Sequence, residues 1–253
     1  MKNWSSTQKM EQFLRDSQFD SESRRAALLR LCEERRKKAE LEANASKVLA
    51  ATRDTYHWVT NFTRTYNEHW QEEGRTTPYE PFPRKPYFPA LFHLLRSERI
   101  HWFEKSRDMM LTWGCVAYLV LEAMLTPKRG MLFQTQKEKK AIQLIDYAKC
   151  LYQNQPDFLQ EAFPLSKPLY KFDRLTLEWA NGAYCIGIPG GADQIRSFHP
   201  WGYLNDESSF QPDAGECYNE ALSAVKGKVI FNSSAGPGWF ADARRDIIRN
   251  EDE

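Results

Sequence analysis

The chain has 253 residues, 42% of them hydrophobic and 27% charged, with a mean hydropathy of −0.67. That composition supports a sizeable core and excludes wholesale disorder; at roughly 150 residues per domain the length fits one large unit or two small ones. Thirty-five Lys and Arg against 34 Asp and Glu leave a net charge of +1, so no global basic field advertises nucleic acid, and any such contact must come from a local patch.

The N-terminus, MKNWSSTQKMEQF, lacks the apolar core of a signal peptide. From Ser21 to Ser46 the chain is rich in helix formers, and Glu33/Lys37 and Glu34/Lys38 stand at i,i+4 in the favourable order. Val48, Val59, Phe62, Tyr66 and Trp70 follow at roughly helical spacing. Residues 1–75 therefore read as a helical N-terminal arm, either a solvated surface or a partner-docking helix. Next comes a linker with Pro78, Pro81, Pro83, Pro86 and Pro89 among Tyr79, Phe82, Tyr87 and Phe88. Proline at this density excludes a helix interior and a central strand.

Residues 76–253 read as one α/β domain. After a short helix at Ala90–Ser97, strands are expected at Ile100–Phe103, Met131–Phe133, Leu175–Trp179, Tyr184–Ile188, Gly202–Leu204 and Val229–Phe231. Helices are expected at Met109–Leu125, Lys137–Gln153 and Ala214–Ala224. The 17 residues from Met109 to Leu125 are too short for a membrane span and carry Glu122, so they read as a helix buried in the core. Asn181-Gly182 marks a hairpin turn. The alternation argues a mostly parallel sheet covered by helices. The five cysteines are scattered and form no CxxC, which points to reduced thiols rather than a zinc ribbon or a disulfide framework.

Parallel α/β sheets carry their sites at the carboxyl ends of strands. Lys105 to Thr112 follow the first of these strands and precede the buried helix, the context of a phosphate-binding loop. The loop has no glycine, and Leu111 stands where such loops carry lysine; by itself it reads as an ordinary strand-to-helix turn before it reads as a phosphate site. Asp206-Glu207 end another strand, where one acid could hold hydrated Mg²⁺ and its neighbour activate water, or both could line a solvated loop. Asn232-Ser233-Ser234-Ala235-Gly236 end a third strand, as a polar contact for phosphate or as a surface turn. Gly190-Gly191 lead to Arg196, a residue type suited to phosphate charge and equally common at surfaces.

In this order, Lys105-Ser106-Arg107-Asp108-Met109-Met110-Leu111-Thr112-Trp113, Gly190-Gly191 through Arg196, Leu204-Asn205-Asp206-Glu207-Ser208-Ser209-Phe210 and Phe231-Asn232-Ser233-Ser234-Ala235-Gly236 resemble the ATPase domain of the large terminase subunit of tailed bacteriophages. The resemblance covers about residues 55–245. It implies a P-loop NTPase fold of the ASCE type and Mg²⁺-dependent ATP hydrolysis that drives viral DNA into procapsids. By the same resemblance the loop from Lys105 through Ser106, Arg107, Asp108, Met109, Met110 and Leu111 to Thr112 binds ATP, with Lys105 as a displaced phosphate-binding lysine. Thr112 and Asp206 would bind Mg²⁺, Glu207 would be the catalytic base, and Ser233 and Ser234 the coupling motif. Arg196 and Arg107 are alternative arginine fingers, and Tyr87 sits where relatives hold adenine.

The implied partners are double-stranded DNA, the procapsid portal and the small terminase subunit. The implied assembly is a homo-oligomeric ring, monomeric in isolation, in the host cytoplasm and transiently at the portal, with no membrane. Such subunits carry a second, nuclease domain; none is expected within this chain, which ends in an acidic tail, so no DNA cutting is expected. Two other readings stand beside this one: a non-catalytic DNA- or procapsid-docking module that keeps the fold, and a helicase-type P-loop ATPase.

Overall fold

The computed structural model describes residues 21–251. The opening segment MKNWSSTQKMEQF and the last two acids of the tail lie outside the described residues. Contacts divide the chain into two compact units, with the boundary between Ala50 and Ala51. The first contains all but the last residue of helix α1 (Ser21–Ala51), whose charged surface is exposed and where Arg36 pairs with Glu40 and Lys38 with Glu42 along the helix.

The second unit starts with helix α2 (Thr55–Phe62), capped by Asp54, whose carboxylate accepts from the His57 amide at 2.7 Å. Here the helical spacing expected through Trp70 breaks. Helix α2 stops at Phe62, and β1 (Arg64–Tyr66) pairs antiparallel with β2 (Tyr79–Pro81). Thr63, extended at φ −127°, closes the helix and opens the strand. The proline-rich stretch is therefore part strand: Pro81 lies at the end of a two-stranded ribbon, where a missing amide donor is tolerated. Contacts group residues 51–75 with the sheet-bearing unit, across the boundary expected after residue 75. Trp58, fully buried, anchors them by donating its indole N–H to Gln155 Oε1 at 2.8 Å.

Helix α3 (Phe88–Ser97) carries Pro89 in its first turn, where no amide bond is lost. Then β3 (Ile100–Lys105), α4 (Leu111–Leu125), β4 (Gly130–Gln134), α5 (Glu138–Gln153), α6 (Asp157–Ala162), β5 (Thr176–Glu178), β6 (Tyr184–Ile188), α7 (Ala192–Arg196), β7 (Gly202–Asp206), α8 (Ala214–Ala224), β8 (Lys228–Ser234) and α9 (Trp239–Glu251) follow. The sheet order is β3-β8-β7-β4-β6-β5, parallel except for β5, which forms an antiparallel edge with β6 through the Asn181-Gly182 turn. Gly182 holds φ +80° there. The fold is α/β with a mostly parallel sheet flanked by helices. Helices α6, α7 and α9 were not expected from hydrophobic patterning, because the first two are only six and five residues long.

Alternation along the strands divides the core. Leu132, Ile188, Tyr203, Val229 and Phe231 pack with Ala192, Ile195, Cys217, Ala221 and Phe240 from α7, α8 and α9. On the other face Gly202 lets α4 approach, since a Cβ there would meet Leu119 at 2.6 Å, and Gly187 does the same for α5, where Ala141 O would lie at 2.8 Å. Helix α4 has 12 of its 15 residues buried, so it reads as apolar on all sides rather than as a stripe.

The Trp58–Gln155 bond supplies a stability test. Trp58→Phe keeps most of the packing but strips Gln155 Oε1 of its donor in a buried site. It should cost about 1–3 kcal/mol, read as a lower midpoint in urea unfolding. An unchanged midpoint would mean that the bond does not hold residues 51–63 in place.

Candidate functional site

Strand β8 lies between β3 and β7, so three carboxyl ends meet side by side. In the register Lys105 faces Ser234 across β3 and β8, and Asp206 faces Asn232 across β7 and β8. These ends form one wall of a cavity of about 630 Å³, lined also by Arg107 through Thr112, Ser234, Glu207 and, from the β4–α5 connection, Thr135, Gln136, Lys137 and Lys140.

Thr112, in the first turn of α4, donates from Oγ1 to Asp206 Oδ1 at 2.8 Å. Asn232 Nδ2 donates to the same carboxylate oxygen at 2.8 Å and to Thr112 Oγ1 at 3.1 Å. Burial nevertheless pushes the Asp206 carboxyl up to about 6, against the lowering effects of the Thr112 bond and the Lys105 charge. Beside it, Lys105 Nζ pairs with Glu207 Oε1 at 2.7 Å and reaches Ser234 Oγ at 3.4 Å. Ser234 donates its amide to Glu207 Oε2 at 3.0 Å and its hydroxyl to Oε1 at 3.1 Å. Burial raises the Glu207 carboxyl, but the bonds from Lys105 and the Ser234 amide outweigh it, so Glu207 lies below the ordinary range. Two adjacent acids thus sit in opposite electrostatic surroundings.

The loop between β3 and α4 turns sharply without glycine. Asp108 and Met110 take φ +62° and +53°, left-handed values that cost an L-residue about 1–2 kcal/mol each. Met110 directly precedes α4, and helix α4 therefore begins at Leu111 rather than Met109. Its first residues, Leu111, Thr112 and Trp113, line the cavity, and helix N-termini are the usual place for anionic oxygens.

The structure brings Lys105, Arg107, Asp108, Met109, Met110, Leu111, Thr112, Asp206, Glu207 and Ser234 to one cavity. Ser106 is exposed and is not among its lining residues. Tyr87 also lies off it, its hydroxyl donating to the Met109 carbonyl. Ser233 is buried behind Ser234, accepting from the Ser209 amide at 3.0 Å and donating to Ser234 O at 2.9 Å. Arg196 lies apart at the end of α7, paired with Glu220 at 2.6 Å and Asp193 at 3.5 Å. Asn232 had no role assigned in the sequence, although strand alternation from Ile230 aims it at the same sheet face as Thr112 and Asp206. Lys137 and Lys140 carried no motif at all. Among the described residues no group of three or more His, Cys, Asp or Glu is placed to hold a metal ion, and no helix is long and apolar enough to cross a membrane.

No family model and no curated protein matches the chain. Solved structures do. The large terminase of bacteriophage HK97 superposes with a TM-score of 0.57 at 11% identity, over 79% of this chain and 42% of that one. The large terminase ATPase domain of Thermus phage P74-26 gives 0.48 at 13% identity, over 71% and 73% of the two chains. A point mutant of that same phage domain gives 0.46 at 14%, over 71% and 74%. The chain spans less than half the length of the HK97 protein. In fold, then, this chain is an α/β domain with a mostly parallel sheet flanked by helices, similar to the large terminase of bacteriophage HK97.

Proposed function

We propose that the sheet-bearing unit binds and hydrolyses Mg²⁺-ATP and acts as the motor domain of a DNA-packaging terminase. One observation carries the reading. The Thr112 hydroxyl and the Asp206 carboxylate, 2.8 Å apart, stand next to a lysine–glutamate pair at the ends of three adjacent parallel strands. The oxygen donors fit Mg²⁺, which takes one or two protein oxygens and keeps waters and substrate phosphates for the rest. Asn232 Nδ2, donating to both oxygens at 3.1 and 2.8 Å, fixes their spacing. When bound, the ion would neutralise charge on the phosphates.

The chain's own residues divide the remaining work. The amides at the start of α4 hold phosphate oxygens, and Lys105 exchanges Glu207 for phosphate. Glu207, released and ionised, orients a water and takes its proton. Ser234, bonded to Glu207 through both its amide and its hydroxyl, links that movement to β8, and Ser233 backs it. Arg196 completes a neighbouring subunit's site, which its position away from this subunit's cavity favours; Arg107, on the cavity wall, is the alternative within one subunit. Tyr87, tied to the loop through Met109, borders the place for the adenine ring. Double-stranded DNA, the portal, the small terminase subunit and ring assembly in the host cytoplasm belong to the same reading, supported by similarity of fold. The competing docking module draws on Leu111 at the usual lysine position; turnover decides between them.

Lys105→Ala should weaken binding of a non-hydrolysable ATP analogue about tenfold or more, the scale of one charge-assisted bond. Lys85→Ala, in the exposed linker, should leave it unchanged. Calorimetric titration reads both, and equal affinities in the two variants would remove Lys105 from the phosphates.

At the acid pair binding and chemistry should separate. A group that acts in the transition state contributes to rate and not to ground-state affinity. Glu207→Gln should keep analogue affinity within a few-fold and lose about 10²–10⁴ in turnover, whereas Asp206→Asn should also weaken the Mg²⁺-dependent part of binding. Equal loss of affinity in both would contradict the assignment.

The position of Arg196 is tested by mixing. Arg196→Ala and Glu207→Gln are each expected to keep only a small residual turnover; in a head-to-tail ring, equal mixtures leave about a quarter of interfaces with both groups intact. Recovered turnover places Arg196 across the interface. No recovery in demonstrated mixed oligomers transfers the role to Arg107.

A further inference from the structure

Behind the acid pair lies a polar layer that none of these roles uses. Gln134 ends β4 on the same sheet face as Leu132 and is fully buried, as are Tyr203 and Asn205 on β7, with Ser208 and Gln211 at 1% and 4% exposure. Burying five polar side chains where aliphatic ones would pack is costly unless all are bonded, and such a layer is retained where geometry has to be unique. Here the bonds are complete. The Gln134 amide donates to the carbonyls of Pro189 at 2.9 Å and Gly191 at 3.0 Å. Two carbonyl partners on one side also settle which end of the amide is nitrogen. Its Oε1 accepts from the Tyr203 hydroxyl and from Asn205 Nδ2 at 3.4 Å.

From there the bonds run to the acids. Asn205 Nδ2 donates to Tyr203 Oη at 2.8 Å. Asn205 Oδ1 accepts from Ser208 Oγ and from Gln211 Nε2, both at 2.8 Å, and Gln211 Nε2 also donates to the Asp206 carbonyl at 2.8 Å. This layer therefore grips the residues on either side of Glu207, which itself holds a left-handed φ of +57°. At its other end it grips Gly191, the N-cap of α7 at φ +119°, a conformation that L side chains rarely adopt. The direction of α7, and so the place of Arg196 at its last residue, is set by that cap.

We infer that Gln134 is a positioning residue: through the buried layer of Tyr203, Asn205 and Gln211 it holds the Arg196-bearing helix in register with the Asp206-Glu207 turn. The inference rests on the proposed ATPase reading for its kinetic consequence, and on the hydrogen bonds alone for its structural one. Gln134 does not line the cavity, so it acts on turnover without touching nucleotide.

Gln134→Met keeps length and bulk and removes both donors and the acceptor. In the full chain it should lower ATP turnover at least tenfold while analogue affinity stays within twofold. Added to Arg196→Ala it should lower turnover less than twofold further, because both changes disable one helix. Amide exchange at residues 190–197 should rise at least tenfold, with exchange in α4 unchanged. Equal falls in affinity and turnover, multiplicative effects with Arg196→Ala, or unaltered exchange at 190–197 would each overturn the inference. If the methionine variant does not fold, Tyr203→Phe, which removes only the hydroxyl bonded to Gln134, is measured against the same criteria. A wild-type chain without turnover even as a demonstrated oligomer would sink the proposed function, and the exchange measurement would still decide whether Gln134 holds the helix.

Discussion

Everything at the site depends on one strand being interposed. β8 lies between β3 and β7, and its side chains bridge the two halves of the chemistry. Asn232 ties the Asp206 carboxylate to Thr112, while Ser234 holds Glu207 within reach of Lys105. Lys105 and Glu207 are 102 positions apart in the chain, and no local preference could bring them together. Parallel pairing in a fixed register does so, because a slip by one residue would turn Asn232 away from Thr112 and toward the opposite face.

The loop in front of that wall obeys the same constraint. Phosphate loops ordinarily place glycine where the backbone turns left-handed; here Asp108 and Met110 occupy those conformations. The strain is offset by helix α4, whose 12 buried residues pack against the sheet and α3 and leave its start little freedom. The turn is thus made by residues that carry a Cβ, at a conformational cost glycine would not have. With Leu111 apolar, the cation paired with the acids is Lys105 at the end of β3, 2.7 Å from Glu207 Oε1. Such a pairing lets the half-buried carboxylate and the lysine neutralise each other at the cavity wall.

The two acids illustrate how position divides labour between like groups. Asp206 is raised mainly by burial, and Glu207 is lowered by a lysine and a backbone amide despite burial. One is a carboxylate that gains from a cation arriving beside it, the other an ionised group already held at the cavity wall. Neighbours in sequence, they take different partners: Asp206 continues the alternation of β7 toward Thr112 on α4 and Asn232 on β8, and Glu207, at left-handed φ, turns to Lys105 on β3 and Ser234 on β8.

By itself the sequence determined the alternation of strands and buried helices, the Asn181-Gly182 hairpin, the core role of residues 111–125 and the order of the polar segments at strand ends. These come from local periodicity and from turn chemistry, which are written in neighbouring residues. It left unread the strand at Arg64–Tyr66, because three residues flanked by helix-like spacing carry no period-2 signal of their own, and it left unread the short helices α6 and α7. Only the tertiary structure decided that Asn232 belongs with Thr112 and Asp206, that Arg196 lies away from the cavity beside Glu220, and that Gln134 binds the loop before α7. Each of those facts depends on strand order and register. Those are set by the packing of both sheet faces at once, over separations that no local pattern records.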